Sequence, residues 1–165
     1  MKRKLMIGTA VLLALLIAAG VLCFFATREQ RAVRELVNET VALVRKEPSN
    51  LPHAGVLKFT KVEKIFGQTV KIKSFKPSVN RTFSQEDLKI LLNMMNRHIV
   101  QMDVATGNIK VDVRDDLAEF AFDADISGVV SGKDDFSSVC QIRGEARKIS
   151  GDWKIISVSV EPVVK

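Results

Sequence analysis

Cys140-Gln141-Ile142-Arg143-Gly144-Glu145-Ala146-Arg147-Lys148-Ile149-Ser150-Gly151-Asp152-Trp153-Lys154-Ile155-Ile156-Ser157-Val158 is the stretch on which the fold turns. Cys140, Ile142 and Ala146 alternate with Gln141, Arg143, Glu145 and Arg147, so a strand here has one apolar face. Ser150-Gly151 then offers a turn where positive φ costs little, and Trp153–Val160 returns as a second strand. The same rhythm runs upstream. Ile109, Val111 and Val113 alternate with Lys110, Asp112 and Arg114. Ala118, Phe120, Phe122, Ala124 and Ile126 alternate with residues that include Glu119, Asp123 and Asp125. Arg114-Asp115-Asp116-Leu117 suits a tight hairpin, and Gly128–Asp135 reads as a longer exposed loop. In register, Val111 faces Phe120 and Ala146 faces Ile155. A sheet with one apolar face needs a cover, which the preceding residues supply as helices.

Thr27 can cap the first helix, with Val33, Leu36, Val37, Thr40, Leu43 and Val44 on one side and Pro48-Ser49-Asn50 as its stop. Residues 51–66 read two ways: Leu57 and Phe59 alternate with Lys58 and Thr60 as in a strand, while Phe59, Val62, Ile65 and Phe66 suit a helix, and length favours a short helix ended by Gly67. Gln68–Phe75 reads as a strand whose Lys71 and Lys73 place it at a sheet edge, and Pro77–Thr82 as a loop. Ser84 then caps a helix over 85–102 with the stripe Leu88, Leu91, Leu92, Met95, Ile99 and Met102. The fold class is α+β: an N-terminal transmembrane helix, then a cone-like curved antiparallel sheet covered by about three helices.

The N-terminus carries Lys2-Arg3-Lys4 and then Leu5–Thr27, without a charge. As a helix that run spans roughly 34 Å, against a hydrocarbon core of about 30 Å. Residues 1–27 read as a signal-anchor and 28–165 as the domain. A cleaved signal ending near Ala18-Ala19-Gly20, or a lipoprotein acylated at Cys23, are the alternatives. The apolar run continuing through Val21–Phe25, and Leu22 where a lipobox has a small residue, weigh against them. Arg28, Arg31 and Arg34 nearly balance the positive-inside tally. The signal-like layout places the domain outside the cytoplasm, tethered by a single pass of the membrane.

Charge divides along the chain. Residues 28–100 hold 14 Lys/Arg and 7 Asp/Glu, and residues 101–165 hold 8 and 12. Two cysteines give no disulfide framework, and Cys140 reads as a small buried hydrophobe. The chain contains no glycine-rich phosphate loop, metal-ligand spacing or nucleophile elbow, so no cofactor and no metal is expected. Asp123 and Asp125 point away from the core, beside Arg143 and Arg147, and read as surface charge pairing. The basic segment Lys58–Arg81 has phenylalanines that fit core positions, which argues against nucleic acid. On the last strand Trp153 and Ile155 take one face and Ile156, Val158 and Val160 the other. A second copy covering that outer face, as a homodimer, would account for it.

The quoted stretch, with its Gly151-Asp152-Trp153-Lys154-Ile155 close and the preceding Asp115-Asp116-Leu117-Ala118-Glu119-Phe120, resembles the nuclear transport factor two-like (SnoaL-like, cystatin-like cone) superfamily over about residues 28–162. The resemblance implies a pocket between helices and sheet, lined here by Leu92, Met95, His98, Phe120, Phe122, Ile142 and Trp153. Some relatives are isomerases, dehydratases or cyclases with an acid, His or Tyr in that pocket; others bind proteins. This chain has no tyrosine, and no acid on the inner face of its clearest strands. The reading is therefore a non-enzymatic binding or assembly module for a small apolar ligand or a protein. The alternative is a pocket enzyme with His98 as base.

Overall fold

β4 (Lys110–Arg114), β5 (Leu117–Val130), β6 (Asp135–Ile149) and β7 (Asp152–Pro162) form the antiparallel meander expected from the alternation. The structure is a computed structural model and describes residues 27–46, 54–75, 78–132 and 135–163. Arg114 pairs with Leu117 and Ile149 with Asp152, so both hairpins close through two residues. Ser150 and Gly151 both have positive φ, 52° and 92°, the geometry whose twist matches the flanking strands. Val111 faces Phe120 and Ala146 faces Ile155, as the alternation predicts. The loop expected over Gly128–Asp135 is shorter. Val129 pairs with Asp135, so the long strands leave only positions 131–134 between Val130 and Asp135.

The meander is joined by β1 (Phe66–Phe75), β2 (Ser78–Ser84) and β3 (Ile99–Thr106). Among the described residues the sheet has seven strands in the order β2-β1-β7-β6-β5-β3, with β4 also beside β5. β1 pairs with β7 in parallel; the other pairs are antiparallel. β3 and β4 follow each other along one side of β5, and the Gly107 N–H donates to the Asp123 carbonyl where they meet.

Three expectations change here. The strand with Lys71 and Lys73 is not an edge: β1 lies between β2 and β7, and its lysines stand on the exposed sheet face. The edge is β2, in the stretch expected to loop, where Val79 and Phe83 alternate with the exposed Asn80 and Thr82. The helix expected over 85–102 stops at His98. Ile99 and Met102 fit helical spacing, but Met102, Val104 and Thr106 also alternate. They pair with Gly128, Ile126 and Ala124, and long-range pairing decides the ambiguity.

The last correction concerns β7. Ala146 pairs with Ile155 but Glu145 with Ser157, so Ile156 is an extra residue. Such a bulge flips the parity of everything after it. Val158 therefore lies opposite Gly144 and Val160 opposite Ile142. Val158 packs against the core, and the outer face carries Ser157 and Ser159. Ile156, Val158 and Val160, through which a second copy was expected to dock, thus do not share one outer face: Val158 and Val160 lie on the inner one.

Among the described residues three helices cover the inner face. The first, α1, runs over 27–44 and buries Val33, Leu36, Val37 and Leu43. Thr27 is itself helical rather than the residue before the helix. α2 (Ala54–Ile65) buries Val62 and Ile65, and Phe66 and Gly67 already belong to β1. α3 (Gln85–His98) buries Leu88 and Leu92. Its start is a reciprocal cap: the Asp87 N–H donates to Ser84 Oγ at 3.1 Å, and the Ser84 N–H donates to Asp87 Oδ2 at 2.9 Å. Its last carbonyls are met by Lys46, whose ammonium donates to Asn96 O at 2.6 Å and also to Ile99 O. The apolar run over residues 5–26, Cys23 and the Pro48-Ser49-Asn50 stop lie outside the described residues. Among the described residues no helix is long and apolar enough to cross a membrane.

Candidate functional site

The inner wall is where the alternation aims its largest side chains. Phe120 and Phe122, with ring centroids 6.4 Å apart, lie on it with Ala118, Ala124, Ala146 and Ile155. The ring of Phe120 crosses β6 at Gly144. A Cβ there would stand 2.3 Å from Phe120 Cζ and 2.6 Å from the Ser157 carbonyl, so only glycine leaves the space. Against this wall pack Val33, Val37, Val62, Ile65 and Leu88. Among the described residues no polar or charged side chain is buried.

The seven residues expected to line one pocket are distributed. Leu92 and Met95 border a void of about 10 Å³ with Leu43, Val44, Lys46 and Met102, too small for a ligand. Phe120 and Phe122 are buried in the core, with Ile142 packed against it. Trp153 lies at the far side, under α1. His98 is exposed at the end of α3, and its backbone carbonyl accepts the Ser131 N–H. The structure thus gathers Phe120, Phe122 and Ile142 on the wall and leaves His98 at the surface.

Trp153 belongs to a clasp that sequence reading misses. Glu29, in the first described turns of α1, accepts the Trp153 indole N–H at 2.6 Å and the Lys148 ammonium at 2.9 Å. The same ammonium stands 5.8 Å from the indole centroid. The bonds from Lys148 and then Trp153 hold the Glu29 carboxyl below the usual carboxylate range. The clasp lies in a groove of about 600 Å³ between α1, Lys64 of α2 and the β6–β7 turn. One signal could have found it: Glu29 is the sole acid among Arg28, Arg31 and Arg34.

The outer face holds a second groove, of about 450 Å³. Register sets its floor in rows. Asp112, Glu119, Glu145 and Ser157 stand side by side across β4, β5, β6 and β7. Lys110, Ala121, Arg143 and Ser159 form the next row. Arg114 donates to Asp112 at 2.8 Å. Arg143 donates to Gln141 rather than to Asp123 or Asp125. Register sets Glu119 opposite Glu145 as like charges, an unfavourable cross-strand pair, with Arg114 near enough to Glu119 to be favoured by its charge. Cys140 is buried, as expected, and lies 3.4 Å from Ser138 Oγ. Among the described residues no cluster of His, Cys, Asp and Glu is placed to hold a metal ion.

No family model matches the chain, and no curated protein matches it. Solved structures do. A nuclear transport factor 2 (NTF2-like) superfamily protein from Salmonella enterica serovar Typhimurium superposes with a TM-score of 0.67 at 14% identity, covering 84% of this chain and 94% of its own. An NTF2-like protein from Cytophaga hutchinsonii gives 0.61 at 10% identity, over 79% and 95%. A hexachlorocyclohexane dehydrochlorinase from Novosphingobium barchaimii gives 0.66 at 13% identity, over 84% and 88%.

Proposed function

The chain has the nuclear transport factor 2-like fold, and from that premise we propose that it is a membrane-tethered, extracytoplasmic binding and assembly module whose partner is a protein. The observation that carries this reading is a cone that is filled among the described residues. Its inner wall is occupied by Phe120, Phe122, Ala124 and Ala146 packed against helix side chains. A wall filled by the chain's own residues stabilises the domain and leaves recognition to its surfaces. The tether rests on Lys2-Arg3-Lys4 followed by the uncharged run Leu5–Thr27, with the domain on the outer side of a bacterial cytoplasmic membrane. Fold alone does not carry a neighbour's chemistry across. The alternative, a pocket enzyme with His98 as base, needs the imidazole among reacting atoms, and His98 is exposed.

Two measurements test the reading. Carbonate extraction of membranes, with protease added to spheroplasts, should leave the chain in the membrane and digest its C-terminal domain from outside. Titration of the full chain in micelles with an apolar fluorescent probe, read by energy transfer from Trp153, should show no saturable site. One-to-one binding displaced by a fatty acid would overturn the filled-cone reading in favour of a small apolar ligand.

A further inference from the structure

Among the described residues β2 has a strand on one side only. Alternate residues of Ser78–Ser84 therefore turn backbone N–H and C=O groups to solvent. The other end of the sheet is partly closed, because Lys46 exchanges two backbone hydrogen bonds with Met102 of β3, at 2.8 and 2.9 Å.

The open end is also the basic end. β1 and β2 contain Lys71, Lys73 and Arg81 and no Asp or Glu. All three cations are exposed. Lys71 and Lys73 pair with Ser157 and Ser159 and share their outer face; Arg81 pairs with Ile72 and stands on the opposite one. Lys73 Nζ lies 5.1 Å from the Phe75 centroid and Arg81 Cζ 5.4 Å from that of Phe83, contacts that orient a cation without neutralising it. Phe75, at the end of β1, is 49% exposed.

Charge on an edge strand ordinarily blocks pairing. Here two of the three cations sit one strand inward. The edge itself shows the short neutral side chains Ser78, Asn80 and Thr82 on its outer face. The edge is open to a strand, while its field repels a second copy of β2 and attracts acids. A strand added beside β2 would lie about 4.8 Å from it and roughly twice that from β1. A glutamate on its outer face reaches over Asn80 or Thr82 to Lys71 and Lys73. On the other face Val79, Arg81 and Phe83 ask for apolar, acidic and apolar neighbours in turn.

We propose that β2 is the docking edge for an extended acidic segment of a partner protein, which adds to the sheet as a further strand. The proposal rests on the assembly reading above and names the partner's chemistry. The orientation suits it. Trp153, at the start of β7, marks the end where α1 is clasped, whereas Ser74 pairs with Val160, roughly 23 Å further along. The β1–β2 end thus faces away from the side on which α1 enters.

The test uses the full chain in micelles and a synthetic strand-forming peptide that alternates glutamate with valine and threonine. Hydrogen exchange should slow at Val79–Phe83 when the peptide is added. Lys73→Glu with Arg81→Glu should weaken binding about tenfold or more, and Lys73→Arg with Arg81→Lys should restore it. A lysine version of the peptide binding equally well, or protection appearing outside β2, overturns the proposal. In cells, a photo-crosslinking residue in place of Asn80, Asp123 or Met94 separates this idea from its premise. An adduct at Asn80 that the double charge reversal abolishes supports the edge. Adducts at Asp123 or Met94 without one at Asn80 sink the edge and leave the assembly reading. Adducts at none of the three sink both.

Discussion

Glu29→Ala and Glu29→Gln measure how firmly α1 is held to the sheet. The carboxylate serves two donors, Trp153 Nε1 at 2.6 Å and Lys148 Nζ at 2.9 Å. The ion pair is partly wet, with the Lys148 and Glu29 side chains 30% and 28% exposed, so it contributes about 1 kcal/mol at most. The indole is another matter: Trp153 is 7% exposed, and an unpaired buried donor costs about 1–3 kcal/mol. Glu29→Ala should therefore destabilise the domain by about 2 kcal/mol. Glu29→Gln keeps an acceptor for the indole and should cost about 0.5–1 kcal/mol. Urea unfolding of the full chain in micelles reads both, because Trp153 is the single tryptophan. With an m-value of about 1.5 kcal/mol/M, the alanine variant's midpoint should fall by roughly 1.3 M. The pH dependence follows from the carboxyl's depressed pKa in the folded state. Folding favours the charged form, so the stabilisation is complete above the unfolded carboxyl's pKa and is lost as pH falls through the folded one. The advantage of the natural chain over Glu29→Gln should hold from neutral pH to about pH 5 and shrink below it. Equal midpoints for all three proteins at pH 7, or a difference unchanged at pH 3, would refute the clasp.

Three further outcomes follow from register and contact. Gly144→Ala drives a Cβ into Phe120 and the Ser157 carbonyl, and should cost about 1–3 kcal/mol, read by thermal unfolding. Val158→Asp should destabilise strongly while Ser157→Asp changes the midpoint little; the reverse order would show that no bulge separates them. Glu119→Lys replaces a like-charge neighbour of Asp112 and Glu145 with an opposite one but loses the attraction to Arg114, so it should stabilise by no more than about 0.5 kcal/mol at low salt, an effect that salt should reduce.

The meander was legible because β4, β5 and the second half of β6 alternate cleanly and the turns carry Asp115-Asp116 and Ser150-Gly151. Legibility failed where the rhythm breaks or serves two periods. Ile99 and Met102 satisfy both a helix and a strand, and only pairing with Val130 and Gly128 chooses between them. Lys71 and Lys73 signal exposure, which an inner strand's outer face provides as well as an edge does. The bulge at Ile156 is invisible in a single sequence, since Ile156, Val158 and Val160 keep their spacing while the partner strand slips. The residues expected to share one pocket are spread for a similar reason. Periodicity identifies residues that point inward, but not whether facing side chains meet or leave a space. Glu29 went unread because one acid beside three arginines looks like ordinary surface.

The parallel pairing of β1 with β7 has a consequence for how the chain assembles. The three hairpin contacts of β4 to β7 join neighbours in sequence and can zip soon after each turn forms. β1 and its outer companion have no place until β7 exists, because Phe66 must find Ile155 across a long closed loop. During synthesis the β1–β2 hairpin therefore waits, with the second edge of β1 unmatched, until β7 has been made. Conditions that slow translation of residues 100–160 should prolong that vulnerable interval more than delays elsewhere.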